Sequence, residues 1–342
     1  MYAPPAAHCR DVMPVRSRDR FQRSLFLPPL SPLSPVIPLV HSRHATLARI
    51  HAAVFMSTIY NLRFELLTLI LYNILVYFLL KYDIISTKPE GDFLSMLGVS
   101  LTFFQTFGNN QAYSRWWEAR MLWGGIVNLS RTVPTYLEGV EDPGKKLTRE
   151  QKLDIVQRHI AYIRLVVHQL RREQVPGTAG RYLQNDEMQL MHLPNPAVGL
   201  LSVQSRAINK LYRDGLIDSY ARIHLLRLTG TCLDLQGACE RIKTTPFPPT
   251  YFLFLRFVLA CFLLILPFQM FNSYGYPGAV ASILIGTAYL AMERFGSDLA
   301  DPFEGRQNDC AMLAICDTIQ KDLLGPDIPL EKHRLSSAIC IM

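Results

Sequence analysis

The stretch that decides the fold runs from Phe93 to Arg131: FLSMLGVSLTFFQTFGNNQAYSRWWEARMLWGGIVNLSR. Its first part, Phe93 to Ser114, has no charge over about 22 residues, enough for a helix to cross a bilayer. It is still a poor lipid-facing helix. Gln105, Asn109, Asn110 and Gln111 sit in it beside Ser100, Thr102 and Thr106, and hydrocarbon penalises such side chains unless they face protein or water. Val99, Phe103 and Phe107 fall at i, i+4 and i+8 and so share one helical face. Such a stripe serves ordinary helix packing, or it lines a hydrophobic constriction that gates by dewetting.

Past Ser114 the composition changes at once to Arg115, Trp116, Trp117, Glu118 and Arg120. Aromatic rings at headgroup level followed by cations mark a helix leaving the membrane on its cytoplasmic side. Working outward, an earlier apolar run spans Leu66 to Leu80, about 22 Å at 1.5 Å per residue. That is short of a core about 30 Å thick, unless the helix begins before Arg63 and the flanking Arg63, Glu65 and Lys81 reach to the interfaces. Later, Arg256 is the only charge between Thr244 and Met292, which holds two more spans joined by the turn FNSYGYPG. The sequence therefore predicts four spans, at about 62–82, 93–114, 250–270 and 277–293.

Between the second and third spans, residues 115–243 carry 19 Lys or Arg against 13 Asp or Glu, whereas the 81–92 link has two Lys and the 271–277 link no charge. The positive-inside rule puts residues 115–243 and both termini in the cytoplasm, with the two short links outside. No strand-like alternation of any length appears, so the fold class is all-α. A helix capped at Thr148 and Gln151 carries Leu153, Val156, Ile160, Ile163, Val167 and Leu170 along one apolar seam. The stretch from Val175 to Leu193 reads as broken. Helices follow after Asn195-Pro196 and from about Leu216 to the proline cluster at Pro246, Pro248 and Pro249.

Composition excludes several classes. In 342 residues, 49% are hydrophobic and 18% charged, poor in charge for a soluble domain. The net charge of +7 is not gathered into a basic stripe with interleaved aromatics, which argues against nucleic acid and for segments beside an anionic membrane surface. Seven cysteines without a C-x-x-C pair fit neither a disulfide framework nor a zinc site; Cys232, Cys239 and Cys261 read as buried small hydrophobes. His41, His44 and His51 share a helical face but have no nearby carboxylate or cysteine to complete a metal shell. There is no H-E-x-x-H, G-x-S-x-G, P-loop or glycine-rich nucleotide fingerprint, so neither an enzyme nor a cofactor is expected, and His159 and His168 read as surface or packing residues. A transporter would show repeats or broken helices. A membrane-anchored scaffold without ion flux remains the alternative, with the polar second span as the argument against it.

Three blocks carry a resemblance: N-x-A-Y-S-R-W-W-E-A-R-x-L-W-G-x-I-V-N-x-S-R from Asn110 to Arg131, GACERIKTTPFPPTY from Gly237 to Tyr251, and DPFEGRQND from Asp301 to Asp309. In this order they resemble the bacterial and plant branch of the bestrophin family over about residues 60–325. The resemblance implies a homopentameric channel, with four spanning helices per subunit and a helical cytosolic region. Small monovalent ions, with anions such as chloride favoured, would cross it, and membrane lipids would surround it. It also implies a pore neck at Val99, Phe103 and Phe107 and a cytosolic aperture after a proline, matched here by Val198. Animal members hold calcium in an acidic clasp; the corresponding positions are Asp298, Asp301, Glu304 and Asp309, but Arg306 puts a cation in the run, which argues against calcium. The channel domain would occupy 51–325, with a variable arm at 1–50 and a tail at 326–342. A bacterial inner membrane is expected, with a plastid membrane as the alternative if residues 1–45, which also read as a disordered arm or an over-extended reading frame, are a transit peptide.

Overall fold

The computed structural model describes residues 56–57, 60–85, 91–139, 147–173, 182–184, 187–306 and 308–325. The arm at 1–50, His41, His44 and His51, and the tail at 326–342 lie outside them. Among the described residues there is no strand. The helices are α1 (Arg63–Lys81), α2 (Gly91–Gly139), α3 (Arg149–Arg171), the 3-10 turn η1 (Glu187–His192), α4 (Pro196–Arg213), α5 (Ser219–Thr244), α6 (Pro249–Tyr274), α7 (Tyr276–Leu299) and α8 (Met312–Leu324).

Two of them, α1 and α6, are long and apolar enough to cross a membrane. The other two expected spans coincide with the start of α2 and most of α7. These pack with α6 around Leu94, Leu101, Leu255, Leu259, Phe262 and Leu266. The hairpin between α6 and α7 is reduced to Gly275, at φ 62°, a left-handed backbone that glycine adopts without steric cost.

The helix that carries the second span continues well past it. Helix α2 runs unbroken for 49 residues, about 73 Å at the standard rise, through Pro134 to Gly139. Its continuation carries Trp123, fully buried, into a second core with α3, α4, α5 and α8. Helix α8, which the sequence reading did not foresee, is tied back by Arg131 to Asp322 at 2.7 Å and by Arg164 to Asp317 at 2.8 Å.

Helix α3 begins with the expected capping box: Gln151 N–H donates to Thr148 Oγ1 at 3.3 Å and Thr148 N–H to Gln151 Oε1 at 2.9 Å. The single apolar seam is corrected. Leu153, placed on that seam, is exposed, while Arg158, His159, Arg164 and His168 are all buried. The helix sits in the centre of the bundle and is covered on nearly every side, so its polar residues need partners rather than water. Arg158 finds Glu187 at 2.6 Å, Asp154 at 2.8 Å and Gln204 at 3.0 Å. His159 meets Ser130 at 3.0 Å; burial pushes its imidazole down to about 4, so it stays neutral at physiological pH.

Candidate functional site

On α2 the three stripe residues stand together and uncovered: Val99 is 72% exposed, Phe103 66% and Phe107 56%. Helical geometry puts Leu94, Leu101, Gln105 and Ala112 on the opposite face, and all four are buried. One side of the helix is thus committed to α6 and α7, and the other presents an aromatic and aliphatic strip. Beside the strip lies a groove of about 650 Å³, lined by Gly98, Thr102, Phe262, Leu266 and Tyr289 together with Val99 and Phe103.

Gln105 and Asn109 turn away from that strip, whereas Thr106 and Asn110 fall on its face and are exposed. Gln105 donates through Nε2 to the carbonyl of Tyr289 at 2.8 Å, and Asn109 through Nδ2 to the carbonyl of Met292 at 3.2 Å, both on α7. Thr102 Oγ1 lies 2.8 Å from the carbonyl of Gly98 and 2.7 Å from the Tyr289 hydroxyl. These side chains face protein, one of the two conditions that the sequence set for them. They join helices, as amides buried in a membrane bundle do, because adjacent backbone carbonyls are the nearest acceptors.

Arg115 and Trp116, read as marking the interface, each donate to backbone carbonyls within the fold. Arg115 is half-buried and donates from Nε to the carbonyl of Ala300 at 3.1 Å and from Nη2 to that of Ile242 at 2.8 Å. These carbonyls belong to the ends of α7 and α5, where a helix leaves acceptors unsatisfied and its dipole favours a cation. Trp116 Nε1 donates to the carbonyl of Asn308 at 2.9 Å.

Val198 lies in the first turn of α4 and is 36% exposed. That helix starts as its sequence dictates, with Asn195 as cap and Pro196 in the first position. The acidic positions are dispersed by cations. Lys243 of α5 pairs with Asp301 at 3.0 Å and with Glu304, and its hydrogen bond holds the Glu304 carboxyl below the usual range. Asp298 lies 3.5 Å from Arg294 and 3.6 Å from Arg306, and burial raises its carboxyl. Asp309 accepts from the Arg306 N–H at 3.0 Å, and burial pushes its carboxyl up to about 6. Among the described residues no three His, Cys, Asp or Glu side chains gather as a metal site.

A helical bundle with two strongly apolar helices, a long helix continuing out of it and an uncovered aromatic strip defines an integral membrane protein of the channel type. The bacterial/fungal bestrophin family model matches residues 39–325, and the chain belongs to that family. It is 31% identical over 234 residues to the voltage-dependent anion channel-forming protein YneE of Salmonella typhi, covering 67% of this chain and 74% of that one. Against the protein of the same name from Escherichia coli K12 it is 29% identical over 262 residues, covering 76% and 84%. The crystal structure of a bacterial bestrophin homologue from Klebsiella pneumoniae superposes with a TM-score of 0.70 at 26% identity, covering 77% of this chain and 97% of that one.

Proposed function

We propose that the chain is one subunit of a homopentameric anion channel, with the neck of its pore formed by Val99, Phe103 and Phe107 from each copy. The observation that supports this best is the uncovered strip on α2, opposite a helix face that is already buried. Five such strips facing one axis would bury their apolar surface against each other and leave a narrow, uncharged passage. Phenyl rings that turn their positive edges inward would favour a small anion there over a cation. Val198, partly uncovered where α4 begins, forms the cytosolic aperture in this reading. The relatives named as anion channel-forming proteins support the same class of activity.

Four helices, α1, the start of α2, α6 and α7, span the membrane in this arrangement, and the basic 115–243 region lies in the cytoplasm with both termini. The bacterial relatives favour an inner membrane. This reading needs no calcium, and the pairing of Asp301 and Glu304 with Lys243 and of Asp298 with Arg306 supports that. One observation keeps the scaffold reading in play, namely that Gln105 and Asn109 bond to α7 and need no pore to explain them.

Reconstitution in planar bilayers under asymmetric chloride decides between the two. The channel reading expects single-channel steps and a reversal potential displaced toward the chloride equilibrium value. Well-folded oligomers that stay silent across voltage and pH would move the scaffold ahead.

A further inference from the structure

Glu240, near the end of α5, gathers amides from three parts of the chain onto one oxygen. Its Oε1 accepts from Gln236 Nε2 at 2.7 Å, from Gln169 Nε2 on α3 at 2.8 Å and from Asn195 Nδ2 at 3.3 Å. Gln236 Nε2 also reaches Asn195 Oδ1 at 3.3 Å. That same Asn195 oxygen caps α4 by accepting from the Val198 N–H at 3.1 Å.

The carboxylate dictates how these amides point. Gln236 is 1% exposed, and the Oε1 atoms of Gln236 and Gln169 are buried without a hydrogen-bond partner among the described residues. Reversing either amide would aim its oxygen at a carboxylate, so both remain turned with nitrogen inward. The first turn of α4 is confined by packing as well. A Cβ on Gly199 would lie 2.7 Å from Leu193 Cδ1, so the segment leading from η1 presses directly on the backbone beside Val198. Three side-chain amides converge on one oxygen of Glu240, which makes it the fixed point of this turn.

We propose that Glu240 is a positioning residue for the cytosolic aperture: acting through Asn195, it fixes where Val198 stands and so which anions pass. The inference rests on the assignment of Val198 to the aperture. It assigns Glu240 no contact with the permeant ion; the acceptor oxygen, not the charge, is what matters.

The test is a set of permeability ratios, larger anions against chloride, measured on the full-length channel in bilayers. Val198→Ala calibrates the aperture and shifts the ratios. Glu240→Ala removes the shared acceptor and shifts them in the same sense by about twofold or more, the fold-change equivalent to one net hydrogen bond. Glu240→Gln keeps an acceptor at the same reach and stays at the wild-type ratios. Asn195→Ser keeps a short capping oxygen but cannot reach Glu240, so it behaves as Glu240→Ala does, and it carries the test if that variant fails to fold. Wild-type ratios in Glu240→Ala and Asn195→Ser, with a shift in Val198→Ala, would overturn the role of Glu240 and leave the aperture standing. A shift in Glu240→Gln as large as in Glu240→Ala would show that charge is what acts, which also overturns it. No effect of Val198→Ala would remove the aperture and this inference together.

Discussion

The side-chain amide of Gln105 ends on the backbone carbonyl of Tyr289, 2.8 Å away, so a polar group at membrane depth on α2 is turned from the exposed strip and toward α7. The large side chains of the strip, Val99, Phe103 and Phe107, are all apolar, and the amide acts as a joint between the two helices.

Gln105→Leu therefore weakens the α2–α7 contact without altering the neck. The expected loss is about 1 kcal/mol, typical of one net hydrogen bond between membrane helices. Thermal unfolding in detergent reads it, and unitary conductance stays at the wild-type value. A changed conductance with unchanged stability would place Gln105 on the conducting path.

Arg115 joins two helix ends through one guanidinium. Arg115→Ala should cost about 1.5–3 kcal/mol, the range for hydrogen bonds to a charged group. Arg115→Lys should recover less than half of it, because an ammonium lacks the planar fork that serves both carbonyls. Full recovery by lysine in the same melting experiment would show that charge alone suffices.

How much of this was legible in the sequence varied with the range of the interaction. Local signals read true: the Thr148–Gln151 capping box, the Asn195-Pro196 start of α4 and the spacing of Val99, Phe103 and Phe107 all act within two or three turns. Partners distant in sequence did not. Gln105 meets a residue 184 positions away, and Arg115 meets two, 127 and 185 positions away. A polar residue in an apolar run signals that it must be satisfied, not by what. The burial of α3 beyond its single apolar seam was hidden for the same reason: Glu187 and Gln204, the partners that let Arg158 be buried, lie on other elements. Nothing in the composition near Arg115 ends α2, since charged and aromatic residues continue a helix as readily as those before them.

Asp309 gives the folded protein a proton-dependent term. Its carboxyl, raised to about 6 by burial, holds a proton between about pH 4 and 6 that the unfolded chain has already lost. Native protein then binds more protons than unfolded, so this group lowers stability as pH rises through that window, and the penalty is complete above it. Asp309→Asn keeps an oxygen for the Arg306 N–H and removes the slope. Above pH 6 it should be more stable than wild type by about 1–3 kcal/mol. Parallel pH–melting curves for the two proteins check this, and a variant less stable at pH 7 would contradict it.

The buried thiols should be inert. Cys232, Cys239 and Cys316 are free, and burial pushes each up to about 12, leaving almost no thiolate at neutral pH. Maleimide labelling followed by mass spectrometry should find these three unmodified in the native protein and modified after denaturation. Fast native labelling at any of them would mean that α5 or α8 opens readily.

The central claim is that Phe103 stands in the neck of the pore, and the most direct measurement is the unitary conductance of Phe103→Ala beside wild type in symmetric chloride. Removing the phenyl ring widens an apolar constriction and makes it easier to wet, so the account predicts larger single-channel steps with chloride still carrying the current. Steps of unchanged size from a correctly assembled Phe103→Ala channel would contradict it.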